Sequence, residues 1–328
     1  MKIFPIKVEK NIPMNYKFIE WKLHNVCNHN CSFCPSRHKD GSQRWFTLEK
    51  YKVYIDRLAE LSNGMPYWIQ FTGGEPTLFP KFIELCEYAK SKNALISLLS
   101  NGVRTLRWWN ELNETKTIDN LFITYHSEQT QDYHHHAEIL NLFLNEQTTT
   151  IGLVTHVKDS IDLAFKAFEY LVENTGSIIT LKAMMISNYD IYELYTKSQY
   201  EYILKNNWKH GKLNKTKTKS LMSDTLRINH TLKITYNNDM QLNLDPQLLM
   251  KMKKNRFKGW ECAIGNNNMR IDYDVVYRGV CEVGNTRSLY DENLKFTDDY
   301  VTCTSNHCFC GTDMIATKYL PQHLYPTE

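Results

Sequence analysis

The sequence predicts an α/β protein that ends in a small cysteine-rich module. Three observations carry this. Six apolar runs of strand length alternate with amphipathic segments between about residues 17 and 200. A basic interruption follows, and then five cysteines gather between positions 262 and 310. Strands that alternate with helices pair in parallel through right-handed crossovers. Such a sheet closes fully or partly into a barrel, or stays open and doubly wound. Either way, ligands collect at the carboxyl ends of its strands.

The strand runs are Phe18–Leu23, Tyr67–Phe71, Ala94–Leu99, Leu121–Tyr125, Ile151–His156 and Ile178–Ile186. After Thr47, Leu48, Tyr51, Ile55, Leu58 and Leu61 fall on one helical face, and Asn63-Gly64 stops the helix. A second helix follows Pro80 with Phe82, Leu85, Cys86 and Ala89 aligned, which makes Cys86 a core residue. Another starts at the N-cap Ser160 and carries Ile161, Ala164, Phe165, Phe168 and Leu171. Ile191–Asn206 reads as a further helix, and Gly211–Lys219 as a polar, basic loop. Leu226–Thr235 and Met240–Leu244 then flank Asn237-Asn238-Asp239, a hairpin signal. Met269–Tyr277 alternates as one or two short strands. The division expected is an extension at 1–16, an α/β domain at 17–200, a basic connector with the hairpin at 201–258, and the cysteine module at 259–328.

Composition excludes several classes. With 328 residues, 42% hydrophobic and 23% charged, the chain is neither disordered nor of low complexity. No apolar run approaches the ~20 residues of a membrane helix, and the first residues contain no signal-peptide core. A cytoplasmic protein is expected. Net charge is +3, yet 13 Lys/Arg face three acids between Lys205 and Lys258. Nine cysteines fit no closed disulfide set, and their clustering points to metal ligands.

Cys27, Cys31 and Cys34 lie directly after the first strand in the spacing C-x3-C-x2-C. Three thiolates suit three irons of a [4Fe–4S] cube, leaving one iron open. They also suit three of four zinc ligands, with His24 or His29 as the fourth. The second strand ends in FTGGEPT, where Gly73 and Gly74 allow close backbone approach and Glu75 supplies a carboxylate. The third ends in Ser100-Asn101-Gly102. The triplet, the Gly-Gly-Glu-Pro turn and these polar ends, in order on three strands, resemble the radical S-adenosylmethionine (radical SAM) enzymes over roughly residues 17–190.

The resemblance implies a partial (β/α)6 TIM-like barrel and a [4Fe–4S] cluster on Cys27, Cys31 and Cys34. The open iron would chelate S-adenosylmethionine. Phe33 would lie against the adenine, Gly73, Gly74 and Glu75 would orient the methionine amino group, and Ser100 and Asn101 would reach its ribose or carboxylate. The implied reaction is one-electron cleavage to a 5′-deoxyadenosyl radical that abstracts hydrogen from substrate. An electron donor such as flavodoxin or ferredoxin is implied with it. In such enzymes the cofactors carry the hard chemistry, and the protein aims it.

Cys262, Cys281, Cys303, Cys308 and Cys310 form the second group. Four thiolates fit a zinc ribbon or a second iron–sulfur cluster. Beside the first motif, the arrangement resembles a twitch module, a shortened SPASM domain with one auxiliary [4Fe–4S] cluster. Two clusters are therefore expected. Gly279 stands only two residues before Cys281, a looser fit to the SPASM pattern, and one of the five cysteines is spare.

His126 and Glu128, in TYHSEQ after the fourth strand, are candidates for substrate contact or proton relay. Lys158 and Lys182 are candidate carboxylate partners or solvated groups. His134-His135-His136 reads as a solvated loop before a helix at Ala137. The 205–258 stretch is a solvated face or a contact for nucleotide or nucleic acid. The leading reading is modification of a peptide or peptidyl side chain, by oxidation or cross-linking. Only 26 residues precede Cys27, which weighs against a fused leader-binding domain. The alternatives are a small-molecule, sugar or nucleotide oxidoreductase, and a non-catalytic iron–sulfur or zinc protein that binds nucleic acid.

Overall fold

The computed structural model describes residues 2–11, 14–145, 147–182, 195–206, 209–213, 231–244, 246, 249, 254–279, 281, 286–308 and 311–326. Cys310, most of the basic stretch and the ends of two runs (183–186 and 226–230) lie outside the described residues. The chain forms two compact units, one of residues 21–55 and 69–222, the other of 1–20, 56–68 and 223–328.

β1 (Pro5–Lys10) belongs to the second of these. Strands β2 (Lys17–Lys22), β3 (Tyr67–Thr72), β4 (Leu95–Ser100), β5 (Asn120–His126), β6 (Thr149–Thr155), β7 (Ile178–Lys182) and β8 (Lys209–His210) follow one another as sheet neighbours. The pairings β4–β5, β5–β6 and β6–β7 are parallel, and β8 closes the row antiparallel. The sheet is a partial (β/α)6 barrel and does not close on itself among the described residues.

Helices α1 (Leu48–Ser62), α2 (Phe82–Ser91), α3 (Leu106–Glu114), α4 (Tyr133–Leu142), α5 (Ile161–Asn174) and α6 (Lys197–Lys205) supply the crossovers and the following edge. Alternation along the strands separates two faces. Trp21, Phe71, Ile96, Leu98, Leu121, Ile123 and Tyr125 are almost wholly buried. Trp21 takes the rings of Tyr51 and Tyr54 from α1 edge-on at 5.6 and 6.0 Å. Each such side chain contributes about 1.5–3 kcal/mol by leaving water. At their carboxyl ends β5, β6 and β7 carry polar residues in register: His126 with Thr155, and Thr155 with Lys182.

Two local expectations change. The three histidines belong to α4 instead of a loop: Asp132 caps the helix by accepting the His135 amide at 3.0 Å, and His136 is buried. Ser160 holds the N-cap position of α5 without capping it, because its hydroxyl lies 2.6 Å from that of Ser127.

The other unit contains β9 (Leu232–Tyr236), β10 (Gln241–Leu244), β11 (Glu261–Cys262), β12 (Asn268–Asp272), β13 (Val275–Tyr277), β14 (Arg287–Ser288), β15 (Val301–Thr302) and β16 (Lys318–Tyr319). Its antiparallel sheet has the order β10-β9-β1-β16-β11-β15. The residues drawn from sequence as an N-terminal extension thus supply a central strand. β9 and β10 form the expected hairpin, with Asp239 at φ 62°, and β12 and β13 form another around Tyr273 at φ 65°.

Candidate active site and second cysteine site

The cysteine loop follows β2 and is fixed at its base by Asn25, 1% exposed. The Asn25 amide donates to Asp40 Oδ1 at 2.6 Å and Ser42 Oγ at 2.9 Å, and its oxygen accepts the Gln43 amide at 2.7 Å. One side chain thereby ties together the two ends of a loop of about 15 residues, at a net gain of about 1 kcal/mol per bond. Sequence reasoning missed Asn25, because nothing local distinguishes it from an ordinary loop asparagine.

Underneath, the turn after β3 locks to the same segment. The Gly74 amide donates to the His24 carbonyl and that of Glu75 to the Val26 carbonyl, both at 2.8 Å. A Cβ on Gly73 would stand 2.5 Å from the His24 oxygen, and one on Gly74 2.2 Å from the Val26 oxygen. Both glycines are needed for that approach. Glu75 is 1% exposed, and its carboxylate accepts from Thr77 N and Oγ1, from Ser100 Oγ at 2.9 Å and from Asn101 N at 2.7 Å. Burial pushes its carboxyl up, and these four bonds oppose the rise. Asn101 in turn donates to Asn28 Oδ1 at 3.0 Å, so the ends of β3 and β4 both hold the cysteine loop.

From the other side come groups after β5. Phe33 stacks on His126, with centroids 5.8 Å apart and planes at 24°, and His29 meets the same ring edge-on at 5.5 Å. His126 Nδ1 lies 2.8 Å from Thr155 Oγ1. The Glu128 carboxylate accepts the Ser32 amide at 2.7 Å, and Gln129 accepts that of Asn30 at 2.9 Å. His126 and Glu128 therefore both touch the cysteine loop itself. Burial pushes the His126 imidazole down to about 3, leaving it neutral at ordinary pH.

Among the thiols Cys31 is buried and Cys27 and Cys34 half-buried. Burial raises all three, Cys31 to about 12, so metal binding has to displace protons. Donor atoms of His29, Cys31 and His126 lie within 4.8 Å of one another. Of the two histidines weighed as a fourth zinc ligand, His29 is in reach of Cys31, whereas His24 Nδ1 accepts the Val26 amide at 3.2 Å. Beside the loop a cleft of about 480 Å³ is lined by Asn28, Val103, Arg104, Thr105 and Trp108. Arg104 rides over Trp108 at 5.0 Å, and its buried Nε has no hydrogen-bond partner among the described residues.

In the second unit, Cys262 sits on β11, and Cys303 and Cys308 join a core that contains Val8, Leu232, Phe257, Trp260 and Met314. All three thiols are 5–7% exposed. Backbone bonds hold them: the Cys303 amide donates to the Trp260 carbonyl at 2.7 Å, and that of Cys308 to the Asn255 carbonyl at 2.8 Å. Burial raises the Cys308 thiol to about 12, and the charges of Cys262 and Cys303 act on it as well. The Cys281 amide donates to Asp313 Oδ2 at 2.8 Å.

A parallel α/β sheet whose first strand end carries three thiols, clasped by the next two strand ends, defines a protein with a cluster of metal-ligating side chains where such sheets bind ligands. Residues 21–179, just under half of the chain, match the Radical SAM superfamily. The chain is similar to mycofactocin maturase MftC of Mycolicibacterium smegmatis, 31% identical over 86 residues, covering 26% of this chain and 21% of that protein. It is also similar to GTP 3′,8-cyclase of Pasteurella multocida, 27% identical over 138 residues, covering 37% of this chain and 40% of that protein.

Two solved structures share the fold. Streptococcus suis SuiB bound to precursor peptide SuiA has TM-score 0.52 at 12% identity, over 86% of this chain and 64% of that one. Native anSMEcpe with bound AdoMet and Kp18Cys peptide has TM-score 0.51 at 15% identity, over 84% and 78%. The chain spans between a fifth and two fifths of the length of the curated relatives named above. Radical SAM proteins bind a [4Fe–4S] cluster and S-adenosylmethionine, and the donor set here fits: three thiols in one clasped loop beside an unpartnered buried guanidinium nitrogen.

Proposed function

We propose that the chain is a radical SAM enzyme that modifies a peptide or peptidyl side chain. The observation that carries the enzymatic reading is the clasp of Cys27, Cys31 and Cys34 by Asn25, the Gly73-Gly74-Glu75 turn and Asn101. Cys27, Cys31 and Cys34 would hold the cluster, which when bound supplies the electron that cleaves S-adenosylmethionine to methionine and a 5′-deoxyadenosyl radical. The chain binds and orients. Phe33 would offer an aromatic face to the adenine, and Ser100 and Asn101 would reach the ribose or carboxylate. Arg104 Nε has a free donor for the carboxylate in the cleft beside Asn28. Gly73 and Gly74 keep backbone close to the methionine amino group. The row of His126, Thr155 and Lys182 presents polar groups to a substrate at the strand ends.

Cys262, Cys303 and Cys308, with Cys281 as the fourth described thiol, would hold an auxiliary [4Fe–4S] cluster that takes the electron left on substrate. Peptide chemistry is favoured by the similarity to a maturase and to a structure bound to a precursor peptide. A nucleotide substrate is the second reading, on the similarity to GTP 3′,8-cyclase. A small flavin or iron–sulfur protein would deliver the electron.

The test is anaerobic reconstitution followed by counts of iron and sulfide and assay of 5′-deoxyadenosine with dithionite and S-adenosylmethionine. About eight irons per chain and formation of 5′-deoxyadenosine are expected. Full loading of the first site without that product, in the presence of candidate peptides and of GTP, would remove the reading.

A further inference from the structure

Lys318 is the feature of the second unit that its core does not explain. It is 1% exposed, on β16, and stands directly opposite Cys262 on β11. On its other side it pairs with Val8 of β1. Directly opposed residues in an antiparallel pair project to the same face with Cβ atoms about 5 Å apart. The ammonium donates to the carbonyls of Asp313 at 2.6 Å, Ala316 at 2.9 Å and Met314 at 3.2 Å. It also lies 5.3 Å from the Phe257 ring. Val8, Leu232, Phe257 and Met314 around it are each 2% exposed or less.

Three carbonyls satisfy the N–H groups without cancelling the charge. Among the described residues no carboxylate forms an ion pair with Lys318. A buried ammonium without a counter-charge is strongly unfavourable. Thiols in that pocket are able to carry negative charge: the charge of Lys318 acts on both Cys262 and Cys308. Asp313, 3% exposed and bonded to the Cys281 amide, acts on the same two thiols with the opposite sign. A neutral thiol core would gain nothing from a lysine here. A centre of several thiolates is net negative, and becomes more so when it accepts an electron.

We propose that Lys318 is the built-in charge partner of a metal centre held by Cys262, Cys303 and Cys308, and that its ammonium raises the reduction potential of that centre. Lys318 is a positioning and tuning residue rather than a ligand. The proposal rests on the second site being an iron–sulfur cluster, as given under the proposed function. Hydrogen bonding, burial and nearby charge are the protein's means of setting such potentials.

The experiment uses the full chain with Cys27→Ala, Cys31→Ala and Cys34→Ala, so that only the second site is loaded. Iron and sulfide are counted after anaerobic reconstitution, and the midpoint is read by paramagnetic resonance during titration with dithionite and mediators. Lys318→Met is expected to keep its iron and to shift the oxidised-to-reduced ratio at the parent's midpoint at least tenfold toward oxidised. That corresponds to about 59 mV for a one-electron couple. Lys318→Arg, which keeps the charge, should stay within twofold of the parent.

If Lys318→Met does not fold, Lys318→Gln carries the same test, since its amide still donates to the carbonyls. A loaded neutral variant with the parent's midpoint would overturn the tuning role. A parent that takes up zinc or no iron would instead overturn the reading of the second site, and the two failures are told apart by the iron count.

Discussion

The two cysteine groups solve opposite problems. Cys27 and Cys34 are half-buried on a loop at strand ends, in a frame made almost wholly of hydrogen bonds from Asn25, Glu75 and Asn101. Cys262, Cys303 and Cys308 are buried among Leu232, Phe257, Trp260 and Met314, with a lysine facing one of them. A site that must admit a cofactor and a substrate cannot be sealed by apolar packing, so its thiols are placed by polar clasps. Under the proposed function the second site only exchanges electrons, so it can be sealed, and its charge is then offset inside the core. The difference teaches that burial of a thiol by itself says little, whereas what surrounds the thiol separates an open site from a closed one.

The sharpest way to break this contrast is Cys31→Ala. Formation of 5′-deoxyadenosine should fall to background while about four irons per chain remain in the second site. Loss of all iron would mean that the two sites are not independent.

Next in size is an effect of acid on the metal-free protein. His24 is wholly buried and its imidazole is pushed down to about 4 from 6.5, chiefly by burial. Between those values the unfolded chain binds the proton and the folded chain does not. The contribution of His24 is therefore complete above pH 6.5 and is lost as pH falls toward 4, by about 3 kcal/mol in all. Denaturant titrations at several pH values should show that slope, to which the buried His126, His136 and His156 add in the same direction, and His24→Gln should lower it by the share of one proton.

Gly74→Ala should cost about 2 kcal/mol, because its Cβ would overlap the Val26 carbonyl and push the cysteine loop off its frame. Iron in the first site should drop while the second site keeps its own. The smallest effect is expected of Ser100→Ala, which removes one of four donors to Glu75, at about 1 kcal/mol by thermal or denaturant unfolding.

Much of this was legible from residues alone, for identifiable reasons. The parallel strands announce themselves because apolar runs such as those at 95–100 and 120–126 are buried against helices. The thiol triplet and the Gly-Gly-Glu turn are local in sequence. The start of α4 is hidden in the sequence because its first turn, Tyr133 to His136, holds three histidines, and His136 occupies a core position where an aliphatic residue would show the helical period. It does so by placing its two ring nitrogens 3.0 and 3.1 Å from the carbonyls of Asp132 and Asn101.

β1 is as polar as it is apolar, and it is a strand because β9 and β16 pair with it on either side. Lys318 was invisible for a similar reason. Its meaning lies in a register with Cys262 across 56 positions, which no local pattern records.

The clasp on Glu75 also bears on the order in which the chain folds. Its partners Ser100 and Asn101 lie 25 and 26 residues downstream, and the Val26 carbonyl that takes its amide lies far upstream. These bonds can close only after β2, β3 and β4 have come together, so the clasp acts as a late checkpoint on assembly. Amides of Gly74, Glu75 and Asn101 should then be protected by the clasp yet exchange sooner than those in the buried middles of β4 and β5. Iron would arrive at a loop whose frame is already set, and a chain that failed to close the clasp would present its cysteines on an unframed segment.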